Sequence, residues 1–399
     1  MSTQAVSQKV TRIAVNAVSA KSGGAAVYAY NLSAELVALP AAAEKLEVTL
    51  FLPEQQVQKI RQRVGRSRLK LCSSDAGSSS PLNRFLWDQI ALRRYLSRSG
   101  TDVLISSSDF GVFGSPSRQI LMVRNGLFFS SYYRNEILPR KSLVYRLLFN
   151  LRRQLVLASI RSSDLVMTAS EALMKEIRSC VPLPEAKMSV NPFGVPLDRF
   201  TPKGRAPSEN GFRILYVSEY GDHKNLGVVL KALKELAGQG MKDVRLTTTC
   251  DPRQFPDSEA VDRKADLDLI RDADIRPLVD FIPDVPYEGI ADLYRQADLF
   301  VFPTFVESFG HPLVEAMACG VPVIASDIPI CRELGGDACD YFNPLDFHDL
   351  AARIAAHRKN PDHSKEMASR GAERARSHYD FRNHVRRLME AVETLRARP

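Results

Sequence analysis

Residues 299–320 read LFVFPTFVESFGHPLVEAMACG, and this stretch decides the fold. Leu299–Phe302 is a short, wholly apolar run, the pattern of a strand buried on both faces. Pro303 stops it, and a tight loop carries Glu307, Ser308, Phe309 and Gly310. A helix is expected over 312–319, with Pro312 at its first position and Gly320 just past its end. A strand that feeds a helix through a tight loop is half of a parallel βαβ unit. Such a loop brings backbone N–H groups and the positive end of a helix to one end of the sheet, a ready anion site. Gly310 permits close backbone approach to a ligand. Glu307 in the loop and Glu315, placed in the helix's first turn, then face one cleft. Carboxylates only accept hydrogen bonds, which suits the paired donors of sugar or ribose hydroxyls.

The same alternation extends outward. The second half offers strands at Arg213–Val217, Val244–Thr248, Leu278–Ile282 and Val321–Ala325. Helical spacing falls at Leu226–Ala237, near Asp257–Ala273 and at Ile290–Gln296, and an amphipathic tail runs from Phe381 to Arg396. The first half offers strands at Arg12–Val18, Glu47–Leu52, Asp102–Ser106, Gln119–Val123 and Asp164–Ala169. Its helices are expected at Ala25–Leu39, Leu82–Ser97, Ser142–Ile160 and Glu171–Cys180. Between the halves lies PLDRFTPKGRAPSENG (196–211), rich in Pro, Gly and charge and without apolar period. The expectation is an α/β chain of two doubly wound, Rossmann-like domains over 1–196 and 212–378. A linker at 197–211 joins them, a terminal helix follows at 379–399, and ligand binds in the cleft beyond the strands' carboxyl ends.

Composition narrows the class. The chain has 399 residues, 45% hydrophobic and 25% charged, a length that favours two domains over one core. Its net charge of +8 is uneven: residues 1–200 hold 27 Lys/Arg against 14 Asp/Glu, and residues 201–399 hold 27 against 32. All seven histidines fall in the second half. No run reaches the ~18 apolar residues of a membrane span. Met1–Gln8 is polar and does not read as a secretory signal. Six cysteines without a C-x-x-C pair suggest reduced thiols rather than a zinc site or a disulfide framework, hence a cytoplasmic protein.

A second constellation is YVSEYGDHKNL (216–226), in which a strand ends at Ser218 and Lys224 opens a helix. A lysine at a helix start opposes the dipole and calls for an anion, such as a diphosphate; the alternative is a lysine extended into solvent. The Gly23-Gly24 turn after the first strand is a third, weaker element. A full G-x-G-x-x-G is absent, so NAD binding is not expected. His311 reads equally as a ligand contact or as a helix cap.

Glu307 to Glu315 resembles the E-x7-E signature of family 4 glycosyltransferases, retaining enzymes of the GT-B fold that use nucleotide sugars. Tyr294–Thr304 (YRQADLFVFPT), Pro322–Asp327 (PVIASD), Glu333–Gly336 (ELGG) and Tyr341–Asp346 (YFNPLD) resemble the family's flanking stretches. Asn191-Pro192-Phe193-Gly194-Val195 with Phe200 is similar to its N-G-V-x-x-x-x-F pattern, with Pro-Phe inserted. The resemblance implies a nucleotide diphosphate sugar on the second domain and Lys224 and Glu307 in catalysis. It implies donor contacts at Gly23, Gly24, Ser218, Lys224, Glu307, Ser308, Phe309, Gly310, His311, Leu313 and Glu315. Within that set Lys224 holds phosphate, Glu307 orients the sugar and Glu315 grips the ribose. It also implies that the terminal helix packs back on the first domain, that no resident cofactor is used, and that no metal is needed, since no D-x-D is placed for one.

Two departures stand out. Many members carry Arg where this chain has Ser218-Glu219. Members commonly place a His in a loop of the first domain, yet no His precedes residue 223; Arg124 or Asn125 in MVRNGL (122–127) takes its place at the substrate. A front-face retaining mechanism does not require that His, because the leaving phosphate oxygen can accept the proton. The rival readings are another GT-B enzyme, such as a sugar-nucleotide epimerase, and a non-catalytic membrane-surface scaffold.

Basic clusters lie at Lys59–Lys70 and Arg134–Arg161. Neither carries aromatic platforms or a nucleic-acid motif, so nucleic acid is not an expected partner. Anionic lipid head groups fit better, with a solvated charged face as the alternative. The expected acceptor is a glycan or lipid-linked saccharide, met by a protein peripheral to the inner face of a membrane.

Overall fold

The computed structural model describes residues 10–39, 46–65, 67–76, 80–203, 211–254, 263–282 and 285–398. Part of the expected linker (204–210) and the start of the helix expected near Asp257 (through 262) lie outside the described residues. The first sheet holds β1 (Thr11–Asn16), β2 (Leu46–Leu52), β3 (Leu69–Ser73), β4 (Val103–Ser106), β5 (Arg118–Val123), β6 (Leu165–Thr168) and β7 (Met188–Val190), in the order β3-β2-β1-β4-β5-β6-β7. The second holds β8 (Phe212–Tyr216), β9 (Val244–Thr248), β10 (Val279–Phe281), β11 (Leu299–Phe302), β12 (Val323–Ser326) and β13 (Asp340–Phe342), ordered β10-β9-β8-β11-β12-β13. Every strand pairing is parallel. The central strands β4, β6, β11 and β12 are buried throughout, as expected of apolar runs covered by helices on both faces. Two such sheets facing each other across a cleft make the GT-B fold.

Elements with strong local signals fall where the sequence placed them: β9, β11 and the helices Glu171–Cys180 and Ile290–Gln296 coincide residue for residue. Others were missed. β3 starts at the end of the basic stretch 59–70, and as an edge strand it is only half-buried, so the sequence shows no clear apolar alternation there. The helix Glu54–Val64 carries the first part of that stretch, residues 59–64. Arg63 and Lys70 from it stack on Tyr30 and Tyr95, so part of its charge is occupied within the fold. The helices Phe347–Lys359 and Pro361–His378 are polar, and their starts are set by Asp346 and Asn360, whose side chains accept from backbone N–H groups of His348 and His363.

The terminal helix, Phe381–Ala397, packs back on the first domain. Its return is made at Gly194, whose φ of +69° only glycine adopts freely and where a Cβ would stand 2.5 Å from the Tyr379 carbonyl oxygen. There Val195 N–H donates to Tyr379 O at 2.8 Å and Phe381 N–H to Val195 O at 3.1 Å. Among the described residues, no helix is long and apolar enough to cross a membrane.

Candidate active site

In each sheet the chain direction of build-up reverses between two central strands, β1 and β4 in the first, β8 and β11 in the second. Loops leaving such a point diverge and open a crevice at the carboxyl ends. Gly23 and Gly24 follow β1, Ser218 and Lys224 follow β8, and Glu307–His311 follow β11. These residues, with Arg124 after β5 and Glu315, line one cleft of about 940 Å³ between the domains.

The loop after β11 is held by Thr304, whose hydroxyl lies 3.0 Å from His223 O and 2.9 Å from Val306 O. Gly310 has φ +93°, and a Cβ there would come within 3.2 Å of Phe302 and Leu334. The helix that follows spans His311–Ala318. Glu315 therefore lies a full turn in, a correction to its expected first-turn place, because the helix starts at His311. Only 6% exposed, it accepts a 2.8 Å hydrogen bond from Tyr294 Oη, and burial raises its carboxyl to about 7.

Lys224 is the last residue of a short 3-10 turn, Asp222–Lys224, and so precedes the helix Leu226–Gly238 rather than opening it. Asn225 makes the junction with φ +58°, and its side-chain amide donates to Pro303 O at 3.0 Å and Pro344 O at 2.8 Å. The ammonium of Lys224 is neither free in solvent nor facing only a ligand. It is hydrogen-bonded to the carboxylate of Glu307.

Arg124 stands across the cleft. Its guanidinium lies 4.5 Å from the Tyr28 ring centroid and 4.8 Å from that of Phe193, and it donates to Gly24 O at 3.1 Å. His311 stacks on the other partner of this group, Phe193, with centroids 5.5 Å apart and planes 10° from parallel. Burial, reinforced by the Arg124 charge, lowers His311 to about 3, so the ring is neutral. Its Nε2 is buried without a partner among the described residues. Gly23 has φ +57°, and a Cβ there would stand 2.5 Å from Glu219 Oε1, so the turn touches the second domain.

Not every expected contact reaches the cleft. Asn125 caps the turn Gly126–Phe128 by accepting from Leu127 N–H at 3.0 Å and is not on the lining. Leu313 is fully buried and its amide donates to Gly310 O at 3.1 Å, so its side chain serves the helix packing. Phe309, on the lining, is 1% exposed and packs against Phe193, His311 and Tyr379. The hydroxyl of Ser218 donates to Glu219 O at 2.7 Å. Ser308 O accepts from Ser170 Oγ at 3.0 Å, a bond between the domains.

Tyr28, Phe193, Tyr294 and Asp109 were not singled out. Asp109, whose carboxyl burial raises, accepts from the backbone N–H of Arg124 at 2.8 Å and of Asn125 at 2.9 Å, which sets the Arg124 loop. Phe193, inserted with Pro192 between Asn191 and Gly194, and Tyr294, at the head of the stretch 294–304, lie in segments the sequence marks; Tyr28 and Asp109 do not.

Two family models match the chain, "Glycosyltransferase Family 4" over residues 22–199 and "Glycosyl transferases group 1" over 199–374. O-antigen chain mannosyltransferase B of Escherichia coli is 33% identical over 111 residues, 28% of this chain and 29% of that protein. A D-inositol 3-phosphate glycosyltransferase of Corynebacterium jeikeium is 26% identical over 211 residues, 49% of this chain and 50% of that protein. The matches thus span no more than half the length of these relatives. Among solved structures, sucrose-phosphate synthase from Thermosynechococcus elongatus superposes with a TM-score of 0.74 at 18% identity, over 96% of this chain and 99% of that one. HepE of Anabaena in complex with UDP-glucose gives 0.70 at 17%, over 96% and 99%.

Proposed function

We propose, from the premise that this chain belongs to glycosyltransferase family 4, that it moves a sugar from a nucleotide diphosphate donor to a glycan or lipid-linked saccharide, with retention and without a metal. The observation that carries this reading is the Lys224–Glu307 pair beside the amino end of the helix His311–Ala318, at the switch point of the second sheet. Lys224 and the helix end would meet the charge that grows on the leaving diphosphate. Glu307 accepts hydrogen bonds from sugar hydroxyls and holds Lys224 in place. Glu315, ionised above about pH 7, would accept from the ribose. The bond from the anomeric carbon to the diphosphate breaks as the acceptor oxygen bonds to the same face. The acceptor's proton passes to the leaving phosphate oxygen, so Arg124, which cannot act as a base, is no obstacle. Support from relatives is that two of them act in O-antigen chain mannosyl transfer and that HepE was solved with UDP-glucose.

The test is a screen of UDP-, GDP- and dTDP-sugars by thermal shift, followed by transfer assays and determination of the product's anomeric configuration. One donor should stabilise the chain, and Lys224→Ala should cut transfer by about 10²–10³ and weaken that stabilisation. Conversion of the donor without an acceptor would indicate an epimerase, and no nucleotide binding would indicate a scaffold. Either result overturns the reading.

The acceptor side of the proposal rests on the helix Leu143–Ser162. Its rear face buries Phe149, Val156, Leu157 and Ile160, while Leu143, Val144, Leu147, Leu148 and Leu151 are 49–67% exposed. These five positions share one helical face, with exposed Arg140, Arg146 and Arg152 beside it. An apolar stripe edged by arginine is the pattern of a helix lying in a lipid interface, and burying each side chain fully is worth roughly 1.5–3 kcal/mol. The surplus positive charge of residues 1–200 points to an anionic surface. This is the basis for placing the protein at the cytoplasmic face of a membrane.

A further inference from the structure

Three side chains meet at the amino end of β13, the end of the sheet opposite the cleft. Asp340 is the first residue of that edge strand, His357 lies in the last turn of the helix Phe347–Lys359, and His363 in the first turn of Pro361–His378. The corner between the helices is rigid, with Pro361 opening the second and Asn360 Oδ1 accepting from His363 N–H at 3.2 Å. Asp340 Oδ2 stands 3.0 Å from His357 Nε2 and 3.3 Å from His363 Nε2, and the ligating atoms of all three lie within 4.8 Å of one another.

We propose that Asp340, His357 and His363 bind a divalent transition-metal cation of the zinc type, which clips the edge strand to the two terminal helices of the second domain. The spacing fits: a tetrahedral ion with ligands at about 2.0–2.1 Å separates them by about 3.3 Å. Two imidazoles and one carboxylate select zinc-like ions over magnesium or calcium, which prefer all-oxygen sites. The hydrogen-bond pattern behind His357 points the same way. The Ser364 hydroxyl reaches the carbonyls of His357 and Asn360 at 3.3 Å, so it is free to accept from His357 Nδ1–H at 2.8 Å. In that tautomer Nε2 turns its lone pair on the Asp340 carboxylate, and only a proton or a cation reconciles the two. A hydroxyl that orients the ring through its far nitrogen is a recurrent support of metal-bound histidine. His357 is 1% exposed, whereas His363 is 40% exposed and gives the ion a way in.

The full-length, tag-free chain is stripped with a chelator and titrated with Co²⁺, followed by visible absorption, then challenged with Zn²⁺. One Co²⁺ per chain should bind and be displaced by Zn²⁺, and Zn²⁺ but not Mg²⁺ should raise the melting temperature. His363→Ala and Asp340→Asn should each weaken binding tenfold or more, with far-UV circular dichroism confirming that they fold. The proposal is overturned if the parent chain takes up no stoichiometric Co²⁺, or if His363→Ala binds it as tightly. Neither readout depends on sugar transfer, so the outcome is separate from that of the proposed activity.

Discussion

The guanidinium of Arg124 lies over the ring of Phe193, 4.8 Å from its centroid. Both lie where the sequence departs from the pattern it resembles: Arg124, with Asn125, in the loop where a His is common, and Phe193, with Pro192, inserted into N-G-V. The two departures touch. With Tyr28 of the first domain and His311 of the second they form a packed cluster where the two domains meet. Arg124→Ala should lower kcat about tenfold, since a desolvated cation–π contact and one hydrogen bond amount to roughly 1–3 kcal/mol. The dissociation constant of the donor nucleotide, measured by calorimetry, should change less than threefold. Arg124→Lys should not rescue turnover, because an ammonium cannot cover both rings and bond Gly24 O.

Lys224 and Glu307 act as a pair. Lys224→Ala and Glu307→Gln should each reduce kcat by about 10²–10³. The double variant should be little worse than either single one, because each residue works through the other. The pair is partly solvated, with side chains 21% and 13% exposed, so melting temperatures should shift only slightly. Additive losses in the double variant would argue against a joint role.

Glu315 should make stability fall as pH rises. Its carboxyl is near 7 in the folded chain, against an ordinary value of 4.5. Between those values the folded state holds a proton that the unfolded state has lost. The stability this provides is complete below about pH 4.5 and gone above about pH 7, a difference of roughly 3 kcal/mol. Glu315→Gln should remove this component of the pH dependence in thermal melts. It should also raise the donor KM at pH 8 by tenfold or more, through loss of a charged acceptor.

Glu333 bridges the domains. Its carboxylate accepts from the backbone N–H of Glu171 at 2.9 Å and of Ala172 at 2.8 Å, capping the first-domain helix Glu171–Cys180 from the second domain. A cap of this kind is worth about 1 kcal/mol. Glu333→Ala should therefore favour an open cleft and raise the donor KM about fivefold, with a larger radius of gyration by small-angle scattering. An unchanged radius with donor present and absent would remove the latch.

The exposed leucine stripe should govern lipid binding independently of chemistry. Leu147→Glu with Leu151→Glu should abolish co-sedimentation with vesicles containing anionic lipid. Transfer to a short water-soluble acceptor should be unchanged. Raising salt should weaken binding of the parent chain without abolishing it, because only the arginine part is screened.

The order of strands and helices was legible because apolar runs, Pro starts and Gly stops are local signals. β11 and its loop could be read from 22 consecutive residues, 299–320, and they led directly to Glu307, Gly310 and Glu315. The edge strand β3 and the polar helices after residue 346 were not legible, since charge masks a half-buried period. Asn125 and Leu313 were placed in the site by resemblance, yet one caps a turn and the other packs a core.

By itself, the sequence determined two doubly wound halves, the loops that end their strands and the sign of charge on each. Only the tertiary structure decided that Lys224 meets Glu307, that Arg124 meets Phe193, and that Asp340 meets two histidines. Periodicity and punctuation act over a few residues, so they specify elements. Which side chains face each other depends on strand order and on how one sheet faces the next, and those relations join residues 17 to 83 positions apart.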